Sequence, residues 1–421
     1  MMKIKDRLLV LIFAMCIACG VSITIAAQSG GTAPREEKLL NGLKVLMWST
    51  TSDKATVRIR VHAGSSFDPQ GKEGVMSLLA DSIFPTKEAR DYFSEDLEGS
   101  ISISCEYDYI QIDATGKGSE FLAMLDTLAT AVAAPTIDKE TTEALKASLL
   151  AQVNEAEKDP SYTADMAVIK QLFGTFPYGR PRMGTPDSIA KIDFADLRFA
   201  KDRLFTADNA TVTISAPVKS DLMFRAIRRY LGAWNKADQK IPATFRQPDA
   251  PATALKVIDI APANASEFRI AMRGPARSDA DFFAAKILQK IIERRFTSKA
   301  GVSARSVFDQ RLLPGVYIFG TPGAIPGKDS AVETAVHLTT AFRSAIESEI
   351  TPAEFDTVNN LWVKALNPAN SDILWLDIDT FKLDSVAKQT AAAASVKLPD
   401  VQRLLEKMRK EPAASVLIYG K

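Results

Sequence analysis

Few side chains in this sequence are of the types that bind metals or act as nucleophiles, and those few are scattered. Only two histidines occur in 421 residues. His62 follows a strand-like segment, and His337 lies within a helical pattern, each far in sequence from the other. An isolated histidine is more typical of a structural or surface position than of a metal ligand or general base.

The three cysteines offer equally little chemistry. Cys16 and Cys19 lie in an apolar N-terminal segment, so Cys105 stands alone in the expected mature chain and no internal disulfide can form. Cys105 ends the alternating stretch S-I-S-I-S-C at residues 100–105, which is typical of a strand. We expect it to be a small buried residue, because no histidine lies nearby to activate it as a catalytic thiol.

The first thirty residues have the layout of a secretory signal. A basic start at positions 3, 5 and 7 precedes an almost wholly apolar run over residues 8–27. This pattern predicts a signal peptide over residues 1–27, cleavage near Ala27 and export, to the periplasm. The run is also long enough for a retained membrane anchor, and lipid attachment at Cys19 is a third alternative. We expect no membrane span in the mature chain unless the signal stays uncleaved.

Length and charge narrow the class of protein. A chain of 421 residues is too long for one ordinary core, so we expect two domains. The formal charge is balanced at +1, and no basic cluster appears, so the sequence predicts no nucleic-acid binding.

The hydrophobic spacing predicts two similar α+β units in tandem. In the first unit, strands are expected at 43–48, 55–63, 100–105, 107–114 and 210–215, with helices at 74–84, 119–133, 138–157, 193–204 and 219–231. Residues 255–258 resemble 43–46, residues 268–274 resemble 57–64, and a helix is expected next at 279–295. The predicted fold is α+β, with a mostly antiparallel sheet packed with helices in each unit.

Domain boundaries follow from this repeat. We predict an N-terminal domain over 38–233, a polar, proline-containing linker over 234–253 and a C-terminal domain over 254–421. Ligand sites are common between paired units of this kind.

The order of several short motifs resembles the pitrilysin/insulinase-type peptidases, a family that includes the mitochondrial processing peptidases. Each motif is weak alone, but their order and spacing together are specific, from about residue 40 to the C-terminus. The motifs are N-G-L-K-V at 41–45, H-A-G-S-S at 62–66, D-P at 68–69, G-K-E-G at 71–74, L-E-G at 97–99, F-P-Y-G-R-P at 176–181 and N-A-T-V-T-I at 209–214.

Active members of that family carry H-x-x-E-H on the helix after the glycine, where two histidines grip zinc and the glutamate acts on bound water. Here Ser77 and Asp81 occupy the histidine positions, and Ala80 occupies that of the glutamate. The later glutamate ligand falls at Gln152, or at Glu155 if the alignment shifts by one helical turn. The resemblance therefore implies a degenerate zinc site, with no metal or other cofactor and no hydrolysis by this chain alone.

The family's second lobe supplies an arginine and a tyrosine that hold substrate across the cavity. Tyr317 matches the tyrosine, and either Arg305 or Arg311 matches the arginine, since L-L-P-G at 312–315 departs from the usual pattern. Such residues could pair with a substrate carbonyl or carboxylate and donate to an oxyanion. The alternative is a strand-end aromatic residue with solvent-exposed arginines.

Half-length members of that family usually work as pairs of chains enclosing a chamber. The resemblance implies a non-catalytic subunit of an exported metallopeptidase heterodimer, which helps to enclose and bind peptide for a zinc-bearing homologous partner. Two alternatives remain. One is a structural scaffold, as related subunits are in respiratory membrane complexes. The other is a peptide-binding or chaperone-like protein that pairs with extended peptides at a sheet edge.

Overall fold

The computed structural model describes residues 34–237, 248–260, 266–323, 330–365 and 372–420. The predicted signal peptide lies outside these ranges, as does the middle of the predicted linker, residues 238–247.

The first unit is built on a six-stranded sheet in the described part of the chain. Its strands are β1 (Arg35–Lys38), β2 (Lys44–Ser49), β3 (Lys54–Val61), β4 (Ser100–Cys105), β5 (Ile110–Lys117) and β6 (Ala210–Ala216). Its helices are α1 (Val75–Asp81), α2 (Lys87–Glu95), α3 (Phe121–Ala133), α4 (Lys139–Ala156), α5 (Pro160–Phe173), α6 (Pro186–Ala190), α7 (Phe194–Leu204) and α8 (Ser220–Tyr230). The strand order is β1-β2-β6-β3-β5-β4, with β2 parallel to β6 and the other pairs antiparallel.

The second unit repeats this plan around a five-stranded sheet in the described residues. Its strands are β7 (Lys256–Ile260), β8 (Glu267–Gly274), β9 (Arg305–Asp309), β10 (Gly315–Pro322) and β11 (Ala414–Gly420). Its helices are α9 (Phe282–Ala300), α10 (Ala331–Glu347), α11 (Pro352–Ala365), α12 (Asp372–Thr380), α13 (Val386–Ala394) and α14 (Leu398–Lys410).

The strand order β7-β11-β8-β10-β9 matches the order β2-β6-β3-β5-β4 of the first sheet, to which β1 adds one further edge strand. Strand β7 pairs in parallel with β11, as β2 does with β6. The predicted α+β fold, with two mostly antiparallel sheets in tandem, is confirmed.

Alternation along the strands places one face of each sheet in a core. In β3, Val57, Ile59 and Val61 are fully buried against the helices of the first unit, while Arg58 and Arg60 lie on the opposite face. Burial of each such aliphatic side chain stabilises the fold by about 1.5–3 kcal/mol. Charged residues on the second face of a sheet would ordinarily indicate solvent.

Helices exchanged between the units cover those second faces instead. Helix α5 belongs to the first unit, yet it packs on β8 and β11 of the second sheet. Ala164, Val168 and Leu172 are fully buried there with Ala271 and Val416. In return α12, from the second unit, packs on β6 of the first sheet. The two units therefore share one interface built from both halves of the chain.

Several element bounds differ from those predicted. Strand β5 begins at Ile110, not at residue 107, because the carbonyls of Glu106 and Tyr107 accept hydrogen bonds from Ser65 and Ser66 instead of joining the ladder. Helix α1 ends at Asp81, three residues earlier than expected.

Two other features lie near the predicted loops and linker. Helix α5 was not predicted; it begins at the Asp159 cap, with Pro160 in its first turn. Trp234, the first residue of the predicted linker, is buried in the first core, where its Nε1 donates to the carbonyl of Phe205 at 3.3 Å.

Among the described residues, no helix is both long enough and apolar enough to cross a bilayer.

Candidate functional site

Helix α1, which carries the positions of the degenerate zinc motif, is held at its start by Asp68. Its carboxylate accepts from the backbone N–H of Gly74 at 2.8 Å and of Met76 at 2.7 Å. Gly74 has a φ of 109°, and a Cβ there would lie 2.9 Å from the carbonyl oxygen of Met183. Glycine is therefore required for the turn into α1. Burial raises the pKa of Asp68 to about 7, despite the two backbone hydrogen bonds.

The side chains at the motif positions are already engaged in structural contacts. Ser77 is 8% exposed and its hydroxyl donates to the carbonyl of Arg182 at 2.8 Å. Asp81 lies one turn later and accepts from Arg90 at 3.0 Å. Ala80 is buried and has no polar atom. The arrangement holds α1 in place, and Asp81 is its one carboxylate at a motif position.

Helix α4 presents Gln152 to solvent. The Gln152 amide lies 3.4 Å from the Ser148 hydroxyl of the same helix, and Glu155 pairs with Lys158 at 2.6 Å. No hydrogen bond or ion pair in the described ranges links Gln152 or Glu155 to Ser77 or Asp81, although α1 and α4 pack together. The structure therefore packs α1 and α4 against each other, with no direct bond between their candidate residues in the described ranges.

These residues do not fit zinc. Zinc sites in proteins are built from cysteine, histidine and carboxylate ligands, and the only such group at the four motif positions is the ion-paired Asp81. Within the described part of the chain, no group of three or more His, Cys, Asp and Glu side chains is placed to hold a metal ion.

Both histidines lie in structural hydrogen bonds. The ring nitrogens of His62 lie 3.1 Å and 3.0 Å from the hydroxyls of Thr380 and Thr211, and burial lowers the pKa of His62 to about 3. His337 bonds through Nε2 to the carbonyl of Ala300 at 2.9 Å. The prediction that each histidine is structural or superficial therefore agrees with its surroundings.

Strand β4 forms the edge of the first sheet and packs beside α1. It pairs with β5 on one side, and no strand of the described residues pairs with the other. Its serines Ser100, Ser102 and Ser104 are exposed, while the residues between them are partly buried. An edge of this kind presents backbone N–H and C=O groups that can pair with an extended peptide. The alternation predicted this strand but not its place at the edge.

The two candidate arginines of the second unit contact the first unit. Arg305 donates to the Ser161 hydroxyl at 2.5 Å and lies 3.5 Å from Asp165, both on α5. Arg311 is 1% exposed and pairs with Asp309 at 2.9 Å. The expectation of solvent-exposed arginines is wrong for Arg311, because aromatic rings of the first unit cover its guanidinium. The rings of Tyr107, Tyr178 and Phe173 lie 4.2, 4.7 and 5.4 Å from it.

Tyr317 lies on the face of the second sheet that points away from α5, inside the core of the second unit. It is 2% exposed and stacks on Phe308, with ring centroids 4.5 Å apart. Its hydroxyl has no hydrogen-bond partner among the described residues. The structure therefore does not bring Tyr317 together with Arg305 or Arg311, nor to a surface that a peptide reaches.

Tyr317→Phe is expected to leave the free energy of unfolding unchanged or raise it by about 1 kcal/mol, because it removes an unpaired buried hydroxyl. Tyr178→Phe is the matched control. The Tyr178 hydroxyl donates to Asp108 at 2.6 Å and accepts from the Leu313 N–H at 3.2 Å. Its loss should cost about 1.5–3 kcal/mol in urea unfolding. A Tyr317→Phe chain of normal stability that binds peptide more weakly would place this hydroxyl at the substrate instead.

A buried polar junction joins the tips of the β4–β5 and β9–β10 hairpins, and the sequence did not reveal it. Besides the Tyr178 hydroxyl, Asp108 accepts the Leu312 N–H at 2.8 Å. Burial raises the pKa of Asp108 to about 6. The F-P-Y-G-R-P motif supplies Tyr178, so part of its role here is to join the two units.

A second missed contact lies under α12, where its acidic residues meet basic residues of the first sheet. Asp377 pairs with Arg60 at 2.7 Å, both nearly fully buried. Asp379 pairs with Lys44 at 3.2 Å, and Asp372 pairs with Arg58.

Comparison with known proteins agrees with this architecture. Residues 44–186 match the insulinase family, peptidase family M16. Residues 191–360 match the peptidase M16 inactive domain. The chain therefore belongs to peptidase family M16.

Individual relatives are distant in sequence. Over 214 residues the chain is 23% identical to an uncharacterized zinc protease of Mycobacterium tuberculosis, a match that spans about half of each, 49% of this chain and 49% of the relative. The peptidase M16 inactive domain structure from Pseudomonas fluorescens superposes with a TM-score of 0.80 at 18% identity, covering 93% of this chain and 98% of that one. The first half of the periplasmic protease PqqL from Escherichia coli superposes with a TM-score of 0.68 at 15% identity, covering 92% of each. At these identities the structural matches establish the fold.

Proposed function

We propose that this chain is a non-catalytic subunit of an exported M16 peptidase pair, which helps to enclose and hold peptide for a zinc-bearing homologous chain. The state of α1 is the observation that carries the proposal. Its Ser77 hydroxyl and Asp81 carboxylate are bonded to neighbouring protein groups, and Ala80 offers no proton acceptor for activating water. A chain with these residues requires a partner to cleave peptides.

The peptide-holding part of the proposal rests on strand β4. Its free edge runs beside α1, so an extended peptide added there would lie along the helix that carries the chemistry in active relatives. Main-chain pairing supplies affinity with little dependence on peptide sequence. The same mode would serve a peptide-binding protein that acts without proteolysis, so cleavage must be measured separately from binding.

Export is part of the proposal as well. The basic start and the apolar run over 8–27 support it, and one structural relative is half of a protease described as periplasmic. The proposed pair would work in the periplasm.

The test compares three periplasmic preparations: this chain, a zinc-bearing M16 homologue from the same organism, and both together. We expect the isolated chain to leave a quenched peptide library intact, and the mixture to cleave it faster than the homologue alone. Removal of zinc by a chelator should abolish cleavage by the mixture.

Each alternative has its own outcome. Chelator-sensitive cleavage by this chain alone would overturn the non-catalytic assignment. Peptide binding by the isolated chain, with no effect on the homologue, would favour a peptide-binding protein. If the chain neither associates with the homologue nor binds peptide, but co-purifies with a large assembly, the scaffold function is favoured.

A further inference from the structure

Helix α8 closes the first unit and presents a basic face to solvent. Met223, Ala226 and Ile227 form its buried side against β2 and α3. On the opposite side, Arg225, Arg228 and Arg229 are exposed at positions that share one face of the helix. The helix therefore buries apolar residues on one side and exposes three arginines on the other.

The three arginines have no carboxylate partner in the described residues. Arg228 lies over the Phe224 ring at 5.9 Å and Arg229 over the Tyr230 ring at 5.6 Å. Asp221 is the acidic residue of this face, and Arg35 pairs with it at 2.5 Å. The cationic charge of the arginines is consequently not neutralised locally.

One apolar residue is exposed beside these arginines. Leu222 is 41% exposed on the same side of the helix. Exposed basic residues are attracted to an anionic membrane surface, and the exposed leucine beside them adds apolar contact area.

The chain preceding the first strand enters beside this helix. Besides its ion pair with Asp221, Arg35 lies over the Phe224 ring at 5.1 Å, so the described chain begins against the first turns of α8. Six residues, 28–33, separate the apolar run over 8–27 from Pro34. Six extended residues span at most about 20 Å. Whenever the apolar run is in a bilayer, α8 must lie close to that bilayer.

We propose that the exposed face of α8 is a docking surface for an anionic phospholipid bilayer. Basic residues near such a surface each strengthen binding by about five-fold. Three arginines together raise the affinity for the membrane by about a hundred-fold. With the contribution of a partly inserted leucine, this is enough for reversible peripheral binding. Helix α8 packs on β2, whereas β4 lies at the other edge of the first sheet, so binding to the membrane through α8 leaves the proposed peptide site accessible.

The test uses the chain from Gln28, which lacks the apolar run but keeps every described element. Both units and their cores begin beyond residue 34, so this chain retains all the contacts reported above. Co-sedimentation is measured with vesicles of phosphatidylcholine alone and of phosphatidylcholine with phosphatidylglycerol. We expect binding to the anionic vesicles only, weakening as salt is added. The variant Arg225→Glu/Arg228→Glu/Arg229→Glu should bind at least about a hundred-fold more weakly.

A charge-matched control separates this face from net charge. Arg294, Lys299 and Arg343 are exposed on α9 and α10 of the second unit, and reversing all three changes the charge equally. This control should bind within about three-fold of the unmodified chain if α8 is the docking surface. Equal loss in both variants, equal binding to neutral vesicles, or no binding to either vesicle would overturn the proposal.

Discussion

Asp377→Asn is expected to lower the free energy of unfolding by about 3–5 kcal/mol. Asp377 lies on α12 with 5% of its side chain exposed and faces two buried arginines. Its carboxylate is 2.7 Å from Arg60, and 3.6 Å from Arg277. Removal of the negative charge would leave two guanidinium groups in a site that water does not reach.

The neighbours of the pair cannot replace the lost charge. Arg60 also donates to Gln111 at 2.6 Å and lies over the Tyr109 ring at 4.1 Å, and Arg277 donates to Gln389 at 2.8 Å. These partners are neutral. Leaving a buried cation without its carboxylate costs far more free energy than the intact pair contributes to stability. The expected loss therefore reports the cost of the unpaired charge and not the strength of the ion pair.

Asp372→Asn on the same helix is the matched control. Asp372 pairs with Arg58, but both are more than a quarter exposed and Arg58 keeps Asp113 at 2.7 Å. Loss of a solvent-screened pair should cost about 1 kcal/mol or less. Urea unfolding of the two variants, with and without added salt, makes the comparison. Similar costs for both would mean that the interior under α12 is open to water.

The tandem repeat could be predicted because its signal is local. Residues 43–46 and 255–258 are similar short strands, each followed by a second strand and a helix, and five strands of the first sheet, all but β1, have the same order as the five of the second. The exchange of α5 and α12 could not be predicted this way. A helix with apolar residues on one face has the same pattern whichever sheet it covers, so sequence does not say which unit receives it.

The same exchange explains why Tyr317 and Arg311 were hard to place. Alternation puts Val316 and Tyr317 on opposite faces of β10, but both are buried, one under α5 and one in the core of the second unit. When both faces of a strand are covered, alternation does not indicate which face meets solvent. Arg311 lies in the connection between β9 and β10, and its burial could not be predicted because an arginine in a loop is ordinarily exposed.

Within the candidate site, spacing and resemblance predicted the motif positions, but only the structure shows which residues they contact. Ser77 and Asp81 are four residues apart on a predicted helix, which places them on one face. The bonds of Ser77 to Arg182 and of Asp81 to Arg90 join α1 to a loop and to the next helix. Such tertiary partners lie too far apart in sequence for spacing to reveal them.

Restoring the motif is expected to give this chain a zinc site. The variant Ser77→His/Ala80→Glu/Asp81→His, combined with Gln152→Glu, should bind about one equivalent of zinc, whereas the unmodified chain should bind none tightly. Both histidines would project from one face of α1, whose start is fixed by Asp68 and Gly74. Zinc content after dialysis, with isothermal titration, measures the change.

The substitutions should leave the fold intact. The Asp81–Arg90 pair is partly exposed, and its loss costs about 1 kcal/mol or less. A larger side chain at the nearly buried Ser77 adds strain of about 1–3 kcal/mol. Circular dichroism and a melting curve for each variant separate a failure to fold from a failure to bind.

The remaining ligand is decided by a pair of variants. If Glu155 rather than Gln152 faces the metal, the three α1 changes alone should bind zinc as tightly as the set that includes Gln152→Glu. If Gln152 is the position, affinity should rise by about ten-fold or more when the glutamate is added. A variant with both histidines but Ala80 unchanged should hold the metal equally well while cleaving no peptide, because Ala80 stands where active relatives place the proton acceptor. Failure of every folded variant to bind zinc would mean that α1 has been aligned in the wrong register.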